Sequence, residues 1–164
     1  MAVMERTTLS RKSFYVYFRD RHDLIARLVA PLRAEFDDRR AEARAAHESP
    51  REKLRAAFLA IAYGYVEHGA LLRALRESSG HDKDAERVWR EFTDPPIAEY
   101  AALIRAETKA GRVHGLDADT TARALITMNL GCFFDQLIGN PSGDPIPLVE
   151  TLAEIWARTI YGSP

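Results

Sequence analysis

Apolar residues recur every three or four positions along nearly the whole chain, and Gly, Pro and capping acids punctuate the recurrence. No pair of period-two segments competes with it, so the chain has to fold as packed helices. Ser10 opens a short aromatic-rich segment, Arg11 to Phe18. Asp20 and Asp23 then mark a helix start, since acids suit the positive end of the helix macrodipole. Leu24, Ile25, Leu28, Val29, Leu32 and Phe36 form its apolar stripe, which stops at Asp37. The polar remainder to Glu48 reads as a connector that has left the core.

Ser49-Pro50-Arg51-Glu52 predicts a capping box opening a helix through Leu54, Phe58, Ile61, Tyr65 and Val66 to Gly69. A shorter helix follows over Ala70 to Ser78, and another over Lys83 to Thr93. Asp94-Pro95-Pro96 either kinks that helix or restarts it, and the pattern continues over Ile97 to Ala110. Asp117 caps a long helix to about Ile138, and Asp144-Pro145 starts the last one, with Leu148, Leu152, Ile155, Trp156 and Ile160. The expected fold is all-α, with seven to nine helices.

Of the 164 residues, 46% are apolar and 29% charged, enough for a substantial core. Charges interrupt every apolar stretch before the ~20 residues a bilayer span needs, and the first residues lack the apolar run of a secretory signal. A single cysteine, Cys132, fits a reducing cytoplasm and a buried apolar position. The net charge of −1 hides an uneven distribution: Met1 to Arg27 holds six basic against three acidic residues. A basic end on a neutral body suits a small DNA-contacting module.

The stretch Thr8 to Ile25 is a short capped helix, a sharp turn at Arg19-Asp20, and a longer amphipathic helix. Phe14, Tyr17 and Phe18 share one face, while Arg11, Lys12, Ser13 and Tyr15 occupy the front and the other face. Major-groove entry needs donors of this kind at the start of a short helix. The segment resembles the recognition helix and following helix of the tetracycline-repressor (TetR) family. Leu9-Ser10, Tyr15-x-x-Phe18, Arg21 and Leu24-Ile25 match that pattern. Thr8 stands where the family has Gly, and Arg21 replaces a Lys. Glu154 to Gly162, with Met128-Asn129, is similar to the ethionamide-activation repressor subfamily.

The resemblance implies a partial helix-turn-helix over residues 1–24 and a ligand-binding and dimerisation body over 25–164. DNA contacts are then expected from Ser10, Arg11, Lys12, Ser13, Tyr15, Tyr17 and Arg21. The family places two further helices before Thr8, so the module is expected to be incomplete, through a start set too far downstream or a shortened member. The expected pocket consists of Phe58, Ile61, Tyr65, Trp89, Tyr100, Leu103, Ile126, Asn129, Phe133 and Trp156, with Tyr63 an equal candidate for the wall. Asn129 is its polar group; Ile126 stands where the subfamily has a second Asn. The expected homodimer interface is Thr127, Gly131, Phe134, Ile138 and Leu152, with Gly131 admitting a close helix approach. Plain core packing is the competing reading for each aromatic residue.

His22, His47, His68, His81 and His114 lack the spacings of helical metal sites, and no phosphate loop or marked nucleophile is present. No enzyme, metal or cofactor is therefore expected, and His22 reads as a solvated first-turn residue. The expectation is a TetR-type repressor released from operator DNA by a small hydrophobic ligand, in the cytoplasm and with no membrane partner. Two alternatives stand beside it. One is a dimeric small-molecule-binding protein that cannot hold an operator because its helix-turn-helix is incomplete. The other is a structural helical protein with no cavity.

Overall fold

The computed structural model describes residues 17–138 and 143–162. These form five α-helices: α1 (Arg21–Ala45), α2 (Pro50–Ser79), α3 (Lys83–Lys109), α4 (Ala118–Cys132) and α5 (Ile146–Tyr161). There are no strands among the described residues. Acids start most of these helices. Asp20 Oδ1 accepts from the Asp23 amide at 2.8 Å, Asp82 from Asp84 and Ala85 at 2.9 and 3.2 Å, and Asp117 from Thr120 at 2.8 Å. Each satisfies a backbone donor that the first helical turn leaves over. Ser49 makes no such side-chain bond, so the expected capping box reduces to Pro50 in the first turn.

The helices are fewer and longer than their punctuation predicts. The segments on either side of Gly69 are one helix, α2, bent at His68, whose backbone (φ −107°, ψ 16°) leaves the helical region. Pro95 and Pro96 lie inside α3, which runs on through them. Burial supplies the reason. Phe92, Thr93, Ile97 and Tyr100 are buried on both sides of the prolines, so packing holds the axis where two backbone donors are absent. Beyond Cys132, α4 widens into a π-helical turn, Phe133–Ile138.

The polar half of α1 is not a detached connector. Arg39 pairs with Glu67 of α2 at 2.8 Å, and Arg44 with Glu99 of α3. Arg44 also donates to the Tyr100 hydroxyl at 2.6 Å. The apolar half drives Val29, Leu32 and Phe36 into the core, whereas Leu28 of the expected stripe is exposed. His22 is not solvated either. Its ring packs towards α3, with Nε2 3.4 Å from Glu91 Oε1 yet outside hydrogen-bond geometry.

One glycine fixes the crossing of α1 and α2. A Cβ at Gly64 would lie 2.2 Å from Cε1 and 2.7 Å from Cζ of Phe36. The ring fills the notch that the missing side chain leaves. Gly131 in α4 has open space instead, with nothing within 4 Å of a built Cβ. Two alanine substitutions should therefore act with opposite signs in urea unfolding. Gly64→Ala is expected to destabilise by about 1–3 kcal/mol through overpacking. Gly131→Ala is expected to stabilise by up to about 1 kcal/mol through helix propensity.

Candidate functional site

A cavity of about 80 Å³ lies where α1, α2, α3 and α4 converge. From α2 come Phe58, Ile61 and Tyr65, and from α4 Ile126, Asn129, Leu130 and Phe133. Phe92, Thr93, Pro96 and Tyr100 line it from α3, and Arg33, Phe36, Asp37 and Arg40 from α1. Sites for drug-sized ligands span ~300–1,000 Å³, so an occupant of that size has to turn side chains aside. The walls are aromatic and aliphatic, with polar groups on Tyr65, Thr93, Tyr100, Asn129 and the α1 rim.

Trp156 of α5 forms the floor without reaching the cavity. It is 0% exposed and packs edge-on against Phe58 and Tyr100, with ring centroids 5.0 and 4.5 Å away. Its indole N–H donates to Asn129 Oδ1 at 3.0 Å. That bond fixes which way the carboxamide faces and leaves its NH₂ without a partner among the described residues. Asn129 thus serves the core through its oxygen and has its nitrogen available to a ligand acceptor.

The π-helical turn explains a second feature. Phe133 and Phe134 are consecutive, yet both pack on Tyr65, at 5.1 and 5.6 Å between centroids. The wider turn puts Phe133 in the cavity wall and Phe134 outside it, beneath the Arg76 guanidinium at 4.4 Å. Burial pushes the Tyr65 phenol well above its ordinary pKa, against the pull of Arg76. Burial also raises Tyr100, opposed by Arg44 beside it. Both phenols are therefore neutral donors across the physiological range.

Seven of the ten expected pocket residues line the cavity: Phe58, Ile61, Tyr65, Tyr100, Ile126, Asn129 and Phe133. Three do not. Trp156 lies beneath it, and Leu103 faces a separate groove with Arg44, Leu54 and Tyr161. Trp89 stacks on the far side of Phe92, at 6.0 Å, and opens onto a surface groove. Tyr63 is exposed. The residues that periodicity did not offer are Arg33, Asp37 and Arg40 on α1 and Thr93 and Pro96 on α3. Asp37 and Arg40 sit in the segment that reads as a connector and Pro96 in the helix break, whereas Arg33 and Thr93 are polar residues within expected helices.

The expected interface is split. Thr127 and Gly131 are exposed beside Trp89, and Phe134 is half-buried. Leu152 and Ile138 are 2% and 7% exposed, inside the chain's own core, so a partner cannot rest on them. Ile138 packs on Gly69, 3.3 Å from a built Cβ there, and its carbonyl accepts from Arg73. Of the expected DNA contacts, Ser10, Arg11, Lys12, Ser13 and Tyr15 lie outside the described residues, as does the Arg21 side chain. Tyr17 is 64% exposed.

Glu35, Glu67 and His68 bring their ligating atoms within 4.8 Å of one another at the bend of α2. Arg39 already bonds both carboxylates there, so a guanidinium supplies the positive charge of this cluster.

Removing the Asn129 oxygen should strand the Trp156 N–H in the core. Asn129→Leu is expected to cost about 1–3 kcal/mol of stability in urea unfolding. A cycle with Trp156→Phe should return a coupling of about 1 kcal/mol; additive effects would mean the bond contributes nothing.

The family described as "Transcriptional regulator EthR, C-terminal domain" matches residues 54–162, which supply most of the floor and walls. Over 160 residues the chain is 29% identical to the HTH-type transcriptional regulator EthR of Mycolicibacterium smegmatis (strain ATCC 700084 / mc(2)155). That alignment spans 94% of this chain and 73% of the relative. Similarity to the EthR of Mycobacterium tuberculosis (strain ATCC 25618 / H37Rv) is 28% over 158 residues, with the same coverage. An all-helical body with this match along most of its length is that of a transcriptional regulator and not an enzyme. The chain belongs to the EthR-like branch of the TetR family of transcriptional regulators.

Proposed function

We propose that this regulator represses transcription as a cytoplasmic homodimer and is released from operator DNA when a small, largely apolar ligand enters the α1–α4 cavity. The observation that carries the reading is the double duty of α1. Its middle supplies one wall of the cavity through Arg33, Phe36, Asp37 and Arg40. Its first turn grips the segment expected to meet DNA. Asp23 accepts from the Arg19 amide at 3.1 Å and from the guanidinium at 3.3 Å, and pairs with Arg27 at 3.1 Å. Arg27 in turn lies over the Phe18 ring at 5.6 Å. These bonds hold the Asp23 carboxyl below its usual pKa, the Arg19 amide foremost, while burial works the other way.

A ligand that turns aside Phe36 tilts α1 and carries the preceding segment with it. In a dimer the two recognition elements must sit about 34–36 Å apart to enter successive major grooves. Ligand releases DNA to the extent that it prefers the state with another spacing. Ser10, Arg11, Lys12, Ser13, Tyr15, Tyr17 and Arg21 are the proposed contacts, within a module spanning residues 1–24. Ile155 on α5 is 40% exposed and Met128 on α4 half-buried, so both offer apolar surface to a second copy.

The test is anisotropy of labelled DNA from the protein's own promoter region, using protein expressed from its whole reading frame. Affinity is expected to fall at least about tenfold between about 50 and about 200 mM salt. It should also fall on adding octan-1-ol, an apolar ligand. Binding no tighter to this DNA than to unrelated DNA would overturn the repressor reading. Ile126→Trp fills the cavity. It should keep DNA affinity within about twofold, a change of under ~0.5 kcal/mol, and abolish the response to octan-1-ol, with circular dichroism confirming the fold.

A further inference from the structure

We propose that the effector carries an anionic head group, a carboxylate in the simplest case, which Arg33 holds at the cavity mouth while its apolar part enters the cavity. The inference rests on the cavity being the effector site and specifies what that effector is.

The rim contributed by α1 is Arg33, Asp37 and Arg40, at spacings of four and three that place them on one face of the helix. Their charges do not balance. Arg40 takes Asp37 at 2.7 Å and approaches Glu99 at 3.4 Å, and Arg44 binds the other oxygen of Glu99. Arg33 is the most loosely held of the three guanidiniums, its Nε 4.0 Å from Asp37 Oδ2 while Arg40 takes Oδ1 at 2.7 Å. It is also the accessible one, with its side chain 44% exposed against 14% for Arg40. Glu91 and Asp94 also face the groove that adjoins Arg33; neither makes an ion pair with it, and Glu91 lies beside His22.

A lone surface arginine is ordinarily just hydrated. Here the loosely paired guanidinium lines the mouth of an apolar cavity together with Phe36 and Pro96. The pairing of one cation with a greasy hole selects an amphiphile. The planar fork of Arg donates two parallel hydrogen bonds to a carboxylate, stronger than neutral ones and demanding in direction. The carboxylate would pull on α1 itself, the helix proposed to carry the DNA-contacting segment. A neutral ligand fills the same cavity but lacks that grip.

Calorimetric titrations with octanoate, methyl octanoate and octan-1-ol separate head group from chain, since all three carry an eight-carbon chain. Octanoate is expected to bind at least about tenfold more tightly than the ester or the alcohol, the advantage of a charge-assisted pair. In Arg33→Gln the advantage should shrink to within about twofold, with alcohol binding unchanged, and raised salt should shrink it in the unaltered protein. Ile126→Trp should abolish binding of all three.

Equal affinity of the three in the unaltered protein would overturn the head-group assignment and leave the cavity reading intact. Equal losses of acid and alcohol in Arg33→Gln would do the same, by showing that Arg33 acts through packing. Octanoate binding that survives Ile126→Trp would place the anion elsewhere and overturn the proposal. Failure of all three to bind would sink the cavity reading and this inference together.

Discussion

The seat of Phe36 over Gly64 is the contact on which the rest of the structure depends. Its ring occupies the notch left by the glycine and meets Tyr65 and Phe92, with centroids 5.8 and 5.7 Å away. One side chain therefore joins α1 to α2 and to α3. Burying a phenylalanine contributes about 1.5–3 kcal/mol, and each well-placed aromatic pair adds about 0.5–1.5. The same ring lines the cavity, so the contact that anchors α1 is also the one an occupant meets. Under the proposed function stability and response therefore depend on a single residue.

The two sides of the cavity differ in kind. The floor is tightly determined: Trp156, Phe58 and Tyr100 interlock edge to face, and the Trp156–Asn129 hydrogen bond locks the register of α5 against α4. At the cavity the α1 side presents one aromatic ring, Phe36, and the ion pairs of Arg33, Asp37 and Arg40, which salt weakens, while Val29 and Leu32 anchor the helix in the core. Under the proposed function an occupant that needs more than about 80 Å³ has to turn aside Phe36 and the rim of α1.

How far the sequence alone leads depends on what each residue advertises. Phe58, Ile61 and Tyr65 share one stripe of α2, and Ile126, Asn129 and Phe133 one stripe of α4, so spacing suffices to bring them together. Trp89 and Leu103 obey the same spacing on their own helices but face neighbouring grooves, and Trp156 is buried in the floor; periodicity does not say which gap, or no gap, a stripe meets. Asp37 and Arg40 were hidden because a polar stretch after Phe36 looks like a linker, and Arg33 because a polar residue between stripe positions looks solvent-facing; only the fold shows them at a cavity mouth. The π-helical turn was hidden for a local reason. Phe133 and Phe134 look like one buried and one outward residue, and only a widened turn lets both reach Tyr65. Leu152 illustrates the reverse error, since an apolar residue on a helix expected to dimerise was needed by the core.

Whether filling the cavity moves α1 is the claim on which the rest turns, and a distance measurement reads it directly. Spin labels at Arg27→Cys on α1 and Arg87→Cys on α3, both exposed positions, would be placed in a Cys132→Ser background. Pulsed dipolar spectroscopy then gives the separation with and without saturating octan-1-ol. The account predicts a shift of about 2 Å or more, the scale of a genuine rearrangement on binding. An unchanged distance distribution at full occupancy, verified by calorimetry on the same labelled sample, would contradict it.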